Sequence, residues 1–247
     1  YPIEAQLAEG GMSIVYLARQ EQPSRRIALK VIRPSLASEN MLARFELEAA
    51  VLARLRHPGI AHVYDAGRTV AHFADGHTEP RAFMAMELIE GEPVTTFARA
   101  RGLSLGAKLA LVAEICDALH AAHQQGVIHR DLKPANILID KQERAKILDF
   151  GAAAFVSELW ADTPDRALGG VAGTGPCRSP EHASEDGAEL DTRSDVYSMG
   201  VVLYELIAGR TPRAMDGLPG FEAARRVRET EIVPLVDGRG KVYNDDD

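Results

Sequence analysis

An α+β fold in two parts is expected from this sequence: a small strand-rich N-terminal part and a larger, mostly helical C-terminal part. Short β-branched runs recur up to Ile89. Helical periodicity dominates beyond them. Gly91-Glu92-Pro93 places a break between the two.

Residues 14–18 and 26–32 are β-branched runs separated by a polar turn at 20–24, which predicts two strands. Residues 40–55 switch to helical spacing, with Leu42, Phe45, Ala49, Leu52 and Leu55 on one stripe. His57-Pro58-Gly59 stops that helix. Residues 60–66 and 81–89 give two more strands, joined by a long polar connection at 68–80. It carries His72 and His77, but no Cys or carboxylate pattern completes a metal site, and the segment reads as a surface loop.

Past the break, Leu105, Leu109, Val112, Ile115 and Leu119 mark a helix over 105–124, with Cys116 read as a core residue on it. Residues 127–128, 137–139 and 145–148 are expected to be short strands around turns. Gly, Pro, Asp and Thr scattered through 155–174 predict a long loop. Residues 193–208 form a strongly apolar helix closed by Gly209, and 221–230 a basic surface helix. The end, 237–247, is polar and expected to fray. There is no internal repeat.

A chain of 247 residues can bury a substantial core without staples. With 28 basic and 36 acidic residues its formal net charge is −8, which argues against nucleic acid as a partner. The two cysteines, Cys116 and Cys177, have neither CxxC spacing nor a histidine at metal-ligand spacing, so a reducing, cytoplasmic setting is expected. No signal peptide is visible at the start. The longest apolar stretch, 196–208, is too short to span a bilayer and contains Ser198 and Glu205. No membrane segment is therefore expected in this chain, although it could be the cytosolic domain of a longer membrane-anchored protein.

The chemistry concentrates in His129-Arg130-Asp131-Leu132-Lys133-Pro134-Ala135-Asn136, followed past a hairpin by Asp149-Phe150-Gly151. Phosphoryl transfer needs a carboxylate to orient an attacking hydroxyl and take its proton. It also needs oxygen ligands for Mg²⁺ bridging the phosphates. Asp131, Asn136 and Asp149 supply that set, and Lys133 adds a cation for the group in flight. Each residue alone could be part of an ordinary polar turn; their joint spacing could not arise by chance.

Here the sequence resembles the eukaryotic-type serine/threonine protein kinase family, in its bacterial branch, over almost the whole chain. The resemblance implies a bilobal fold: an N-lobe at 1–86 with an antiparallel sheet and one main helix, a hinge at 87–91, and a C-lobe at 92–247. ATP would lie between the lobes. The segment from Leu7 and Ala8 through Gly10, Gly11 and Ser13 to Val15 resembles the glycine-rich loop over ATP, where small residues let backbone N–H groups approach phosphates. Ala8 and Ser13 stand where the family has glycines, which implies a slightly stiffer loop.

Ile27-Ala28-Leu29-Lys30 resembles the third-strand motif, so Lys30 would hold the α- and β-phosphates. Its partner would be a helical Glu; Glu46 and Glu48 both qualify by type, and spacing to His57-Pro58 favours Glu48. Met86 resembles the residue guarding the adenine pocket. The Glu87 carbonyl and Ile89 N–H would read the adenine edge, and Val15, Ala28 and Leu138 would sandwich the ring. Lys133 with Thr174 matches serine/threonine rather than tyrosine specificity, and Ser179-Pro180-Glu181 resembles the motif closing the activation segment. Cys177 departs from the Tyr common in bacterial relatives. Asp195, in the segment 193–200, would anchor the catalytic loop.

Arg130 would pair with a phosphate on the activation segment, with Ser157, Thr163 and Thr174 as acceptors and Thr163 the expected autophosphorylation site. A homodimer in which one copy phosphorylates the other fits this picture. The family's large lobe normally continues for several tens of residues beyond the helix at 221–230, with late helices and an Arg partner for Glu181. Residues 237–247 show no such continuation. The implied partners are ATP, Mg²⁺ and proteins bearing Ser or Thr acceptors. Two rivals remain open at this point: a nucleotide-binding pseudokinase or scaffold without turnover, and a small-molecule phosphotransferase of related fold.

Overall fold

The computed structural model describes residues 1–10, 13–33, 45, 49, 51–72, 75–150, 177, 179–180, 191–213, 218 and 220–235. The chain divides into two compact units, Tyr1–Glu90 and Gly91–Asp247.

The first unit is built on a five-stranded antiparallel sheet, β1 (Ile3–Glu9), β2 (Ser13–Gln20), β3 (Arg25–Ile32), β4 (Val63–His72) and β5 (Thr78–Glu87), in the order β1-β2-β3-β5-β4. Alternation along paired strands sorts the side chains onto two faces. Tyr16, Ala18, Ile27, Leu29, Val31 and Ala85 share one face and pack as an apolar cluster with Tyr64 and Phe83. The register pairs Val15 with Lys30, Lys30 with Met84 and Ala28 with Met86, which places Val15, Ala28, Lys30 and Met86 together on the other face.

Residues 45, 49, 51 and 52 are helical, and Phe45, Ala49, Leu52 and Leu55 are buried, as the stripe predicted. β1 is an edge strand exposed throughout and broken by two register shifts, a common way of blunting a sheet edge.

Two expectations are corrected in this unit. β1 was not foreseen. The connection at 68–80 is not one long loop: β4 and β5 pair out to His72 opposite Thr78. Largely exposed polar side chains on this ribbon remove the alternation that marks a half-buried strand.

In the second unit, β6 (Gly91–Pro93), β7 (Ile137–Asp140) and β8 (Ala145–Ile147) form a small sheet in the order β6-β7-β8. Four helices accompany it: α1 (Val94–Ala100), α2 (Leu105–His123), α3 (Thr192–Ala208) and α4 (Gly220–Glu229). The break at Gly91 is thus the start of a strand, and α1 was not anticipated. Gly91 is required by close approach: a Cβ there would lie 2.2 Å from the Ile139 carbonyl oxygen.

Ser104 caps α2 by accepting the Ala107 N–H at 3.3 Å. Asp191 caps α3 by accepting the Arg193 N–H at 2.7 Å, and Gly209 ends it in the left-handed conformation at φ 68°.

The buried stripe of α2 is Leu111, Val112, Ile115, Ala118, Leu119 and Ala122. Leu105 and Leu109 are exposed instead, and so is Cys116, which corrects its reading as a core residue. Cys116 follows Ile115 by one position, roughly 100° around the helix, which turns it off the stripe. No strand forms at 127–128, because the Val127 N–H donates to the Ala122 carbonyl at 3.1 Å and belongs to the end of α2.

α2 and α1 pack on α3, whose burial extends over Ser194, Asp195, Ser198, Met199, Val201, Val202, Tyr204 and Leu206. Among the described residues no helix is long and apolar enough to cross a membrane.

Candidate active site

In the second unit the site is organised from α3. The Asp195 carboxylate is fully buried and accepts three hydrogen bonds. They come from the backbone N–H groups of His129 (2.8 Å) and Arg130 (2.9 Å) and from His123 Nε2 (2.7 Å). Arg130 has φ 66°, a conformation that costs a non-glycine residue roughly 1–2 kcal/mol, so the carboxylate holds the loop in a shape it would not adopt freely.

His129 is equally buried. Its Nε2–H donates to the Leu148 carbonyl at 2.8 Å, and its Nδ1 accepts the Asp131 N–H at 3.2 Å. These bonds call for the neutral ring with the proton on Nε2. Burial holds its pKa below the ordinary histidine value, against the opposing pull of Asp195. The ring also packs against Phe150 with centroids 4.8 Å apart, so one imidazole ties the start of the loop to the strand leading to Asp149.

Asp131 and its neighbours follow. Lys133 Nζ donates to Asp131 Oδ2 at 2.6 Å. Asn136 Nδ2 donates to the Asp131 carbonyl at 2.8 Å and reaches Oδ2 at 3.4 Å. Asn136 closes the 3₁₀ turn Pro134–Asn136, with Pro at its first position, and its carbonyl accepts the Leu148 N–H at 2.8 Å. Asp131 Oδ1 accepts no hydrogen bond among the described residues. Because the Asn136 amide nitrogen is spent on Asp131, its oxygen is the atom left for a cation. Asp149 also adopts the left-handed conformation, at φ 58°.

α3 holds another segment through the next residues of its inner face. The Ser198 hydroxyl donates to the Cys177 carbonyl at 2.7 Å, shared with the Ser194 carbonyl at 2.9 Å, and the Ser179 and Ser194 hydroxyls lie 3.4 Å apart. Burial pushes the Cys177 thiol up to about 12, reinforced by Glu205 and Asp131 and opposed by Lys133. His123, Ser194 and Ser198 were not identified as site residues from sequence. Their small polar signals sit inside apolar helix stripes, and only the fold shows what they face.

In the first unit, Lys30, Val15, Ala28 and Met86 lie on the sheet face opposite the apolar cluster, with Ala28 and Met86 buried. Ala8 pairs with Val15 across β1 and β2, and Leu7 is exposed. The Gly10 N–H donates to the Ser13 carbonyl at 2.9 Å, closing the turn. The Glu87 N–H donates to the His62 carbonyl at 2.8 Å, and its carboxylate accepts the His62 N–H at 3.2 Å. Ile89 is half-buried just past β5, and Leu138 lies on β7 of the second unit. Gly11, Glu46, Glu48, Gly151, Ser157, Thr163, Thr174 and Glu181 lie outside the described residues.

In the second unit Asp131, Lys133 and Asn136 are bonded together in a loop held by the buried Asp195, and in the first unit Lys30 lies on β3, the pattern expected of a protein kinase domain. The model of that family, described as the protein kinase domain, matches residues 1–232. The chain belongs to this family. It is 38% identical to serine/threonine-protein kinase PknB of Mycolicibacterium smegmatis over 236 residues, covering 95% of this chain and 36% of that protein. It is 39% identical over 230 residues to PknB of Mycobacterium leprae, covering 92% and 35%. PknA of Mycobacterium tuberculosis matches at 39% over 219 residues, covering 88% of this chain and 48% of that protein. The chain thus spans about a third of the length of the PknB relatives it matches.

Proposed function

We propose that this chain transfers the γ-phosphate of ATP to serine and threonine hydroxyls of proteins, in bacterial signalling. The observation that carries the reading is the Asp131 carboxylate. One oxygen is held by Lys133 at 2.6 Å, while Oδ1 accepts no protein hydrogen bond among the described residues. A substrate hydroxyl bonded to Oδ1 is oriented for in-line attack. The hydroxyl oxygen forms its bond to the γ-phosphorus as the bond to the bridging oxygen of ADP breaks, and the hydroxyl proton passes to Asp131. Lys133 neutralises charge on the group in transfer.

Among the described residues no three His, Cys, Asp or Glu side chains gather to hold a metal by themselves. That suits an ion taking most of its oxygens from phosphates and water. Asn136, through its amide oxygen, and Asp149 are the protein donors that fit Mg²⁺. When bound, the ion supplies charge neutralisation and alignment of the phosphates. Lys30, with Glu48 as its proposed partner, holds the α- and β-phosphates. Val15, Ala28, Met86 and Leu138 are assigned to the adenine ring, and the backbone of Glu87 and Ile89 to its edge. The finer proposals are activation by phosphorylation between two copies and a place on the cytosolic side of a membrane as part of a longer protein.

The test is transfer from radiolabelled ATP with Mg²⁺ to a generic basic protein, comparing wild type with Asp131→Asn. Transfer that falls by about 100-fold or more in the variant supports the reading. Nucleotide binding without transfer in wild type would favour the scaffold alternative.

A further inference from the structure

The turn between β1 and β2 is fastened by a residue outside it. Arg33 lies one position past the end of β3, the strand that carries Lys30. Its Nε and Nη2 both donate to the Gly10 carbonyl, each at 3.2 Å, and Nη2 also bonds Glu9 Oε1 at 2.5 Å. Gln6 Nε2 supports the same carboxylate at 3.1 Å. The Arg33 hydrogen bond, aided by that of Gln6, holds the Glu9 carboxyl below its usual range, so the pair is ionised at neutral pH.

We propose that Arg33 is a positioning residue for nucleotide binding: it latches Gly10, at the start of the β1–β2 loop, to the end of β3 and so fixes that loop's anchor relative to the strand of Lys30. This rests on the kinase reading of the loop. An exposed Arg–Glu pair contributes little to stability by itself, and both partners here are partly solvated, Arg33 at 33% and Glu9 at 54%. The value of the latch is geometric. A forked guanidinium fixes the direction of the Gly10 carbonyl. Gly10 has no side chain of its own to restrain it, and preorganisation from outside reduces the ordering cost when phosphates bind.

The experiment titrates a fluorescent ATP analogue into wild type, Arg33→Ala, Glu9→Ala and the double variant, alongside steady-state kinetics and melting. Arg33→Ala is expected to raise the nucleotide Kd and the KM for ATP about three- to ten-fold. Its kcat, KM for protein substrate and melting temperature should stay near wild type. Glu9→Ala should weaken binding less, and the double variant should be no worse than Arg33→Ala. An unchanged Kd in Arg33→Ala overturns the latch. So do additive effects in the double variant, and so does a parallel fall in kcat and melting temperature. Wild type that binds no nucleotide would overturn the kinase reading itself, a result distinct from these.

Discussion

Asp195 Oδ1 accepts the backbone N–H of Arg130 at 2.9 Å, fixing a residue with φ 66° at the entrance to the loop that carries Asp131. The carboxylate does not touch the reacting atoms. Its work is to hold a strained loop, and it takes the His129 N–H and the His123 ring in the same grip. Asp195→Ala would leave these buried donors without acceptors and free Arg130 to relax. We expect a loss of about 3–5 kcal/mol in stability, read from the urea midpoint, together with loss of transfer. Asp195→Asn should move both in the same direction by less.

His129 makes stability pH-dependent. Its pKa is lowered in the fold by burial, so the unfolded chain binds the proton more readily. Stability is fully present above the ordinary value of 6.5 and is lost as pH falls from there toward the depressed folded value. Urea midpoints of wild type should fall between pH 7.5 and 5.5. His129→Asn should start lower and show a shallower decline.

Gly91 and Gly106 make a paired test of space. Gly91→Ala drives a Cβ into the Ile139 carbonyl oxygen, whereas nothing lies within 4 Å of a Cβ at Gly106 in α2. The first should cost about 1–3 kcal/mol, and the second should be neutral or stabilise by about 0.5–1 kcal/mol. Denaturant melts of the two variants check both signs.

Ser198→Ala separates the two segments that α3 supports. It removes the donor to the Cys177 carbonyl at 2.7 Å but leaves Asp195 and its loop bonds in place. KM for the protein substrate should rise about two- to ten-fold with nucleotide Kd unchanged. An equal change in both would point to a general loosening of α3 instead.

Much of this protein could be read from its residues alone. The spacing of Asp131, Lys133, Asn136 and Asp149 was enough to mark the family. The helix ends at Gly209 and the stripe at Phe45, Ala49, Leu52 and Leu55 follow from local rules of capping and periodicity. The division near Gly91 was legible as well, since strand and helix periods differ on its two sides.

Other features were fixed only by long-range pairing. The β4–β5 ribbon carries no alternating pattern, because its exposed faces need none, and only registration of His72 against Thr78 makes it a strand pair. Cys116 left the core through a turn of a single residue on α2. Arg33, His123, Ser194 and Ser198 look ordinary in one dimension. Their importance comes from chain segments far apart in sequence meeting at hydrogen-bond distance: Arg33 with Gly10, His123 with Asp195, Ser198 with Cys177. Residue type sets which chemistry is available, and the packing of α3 and β3 sets which groups are close enough, and buried enough, to use it.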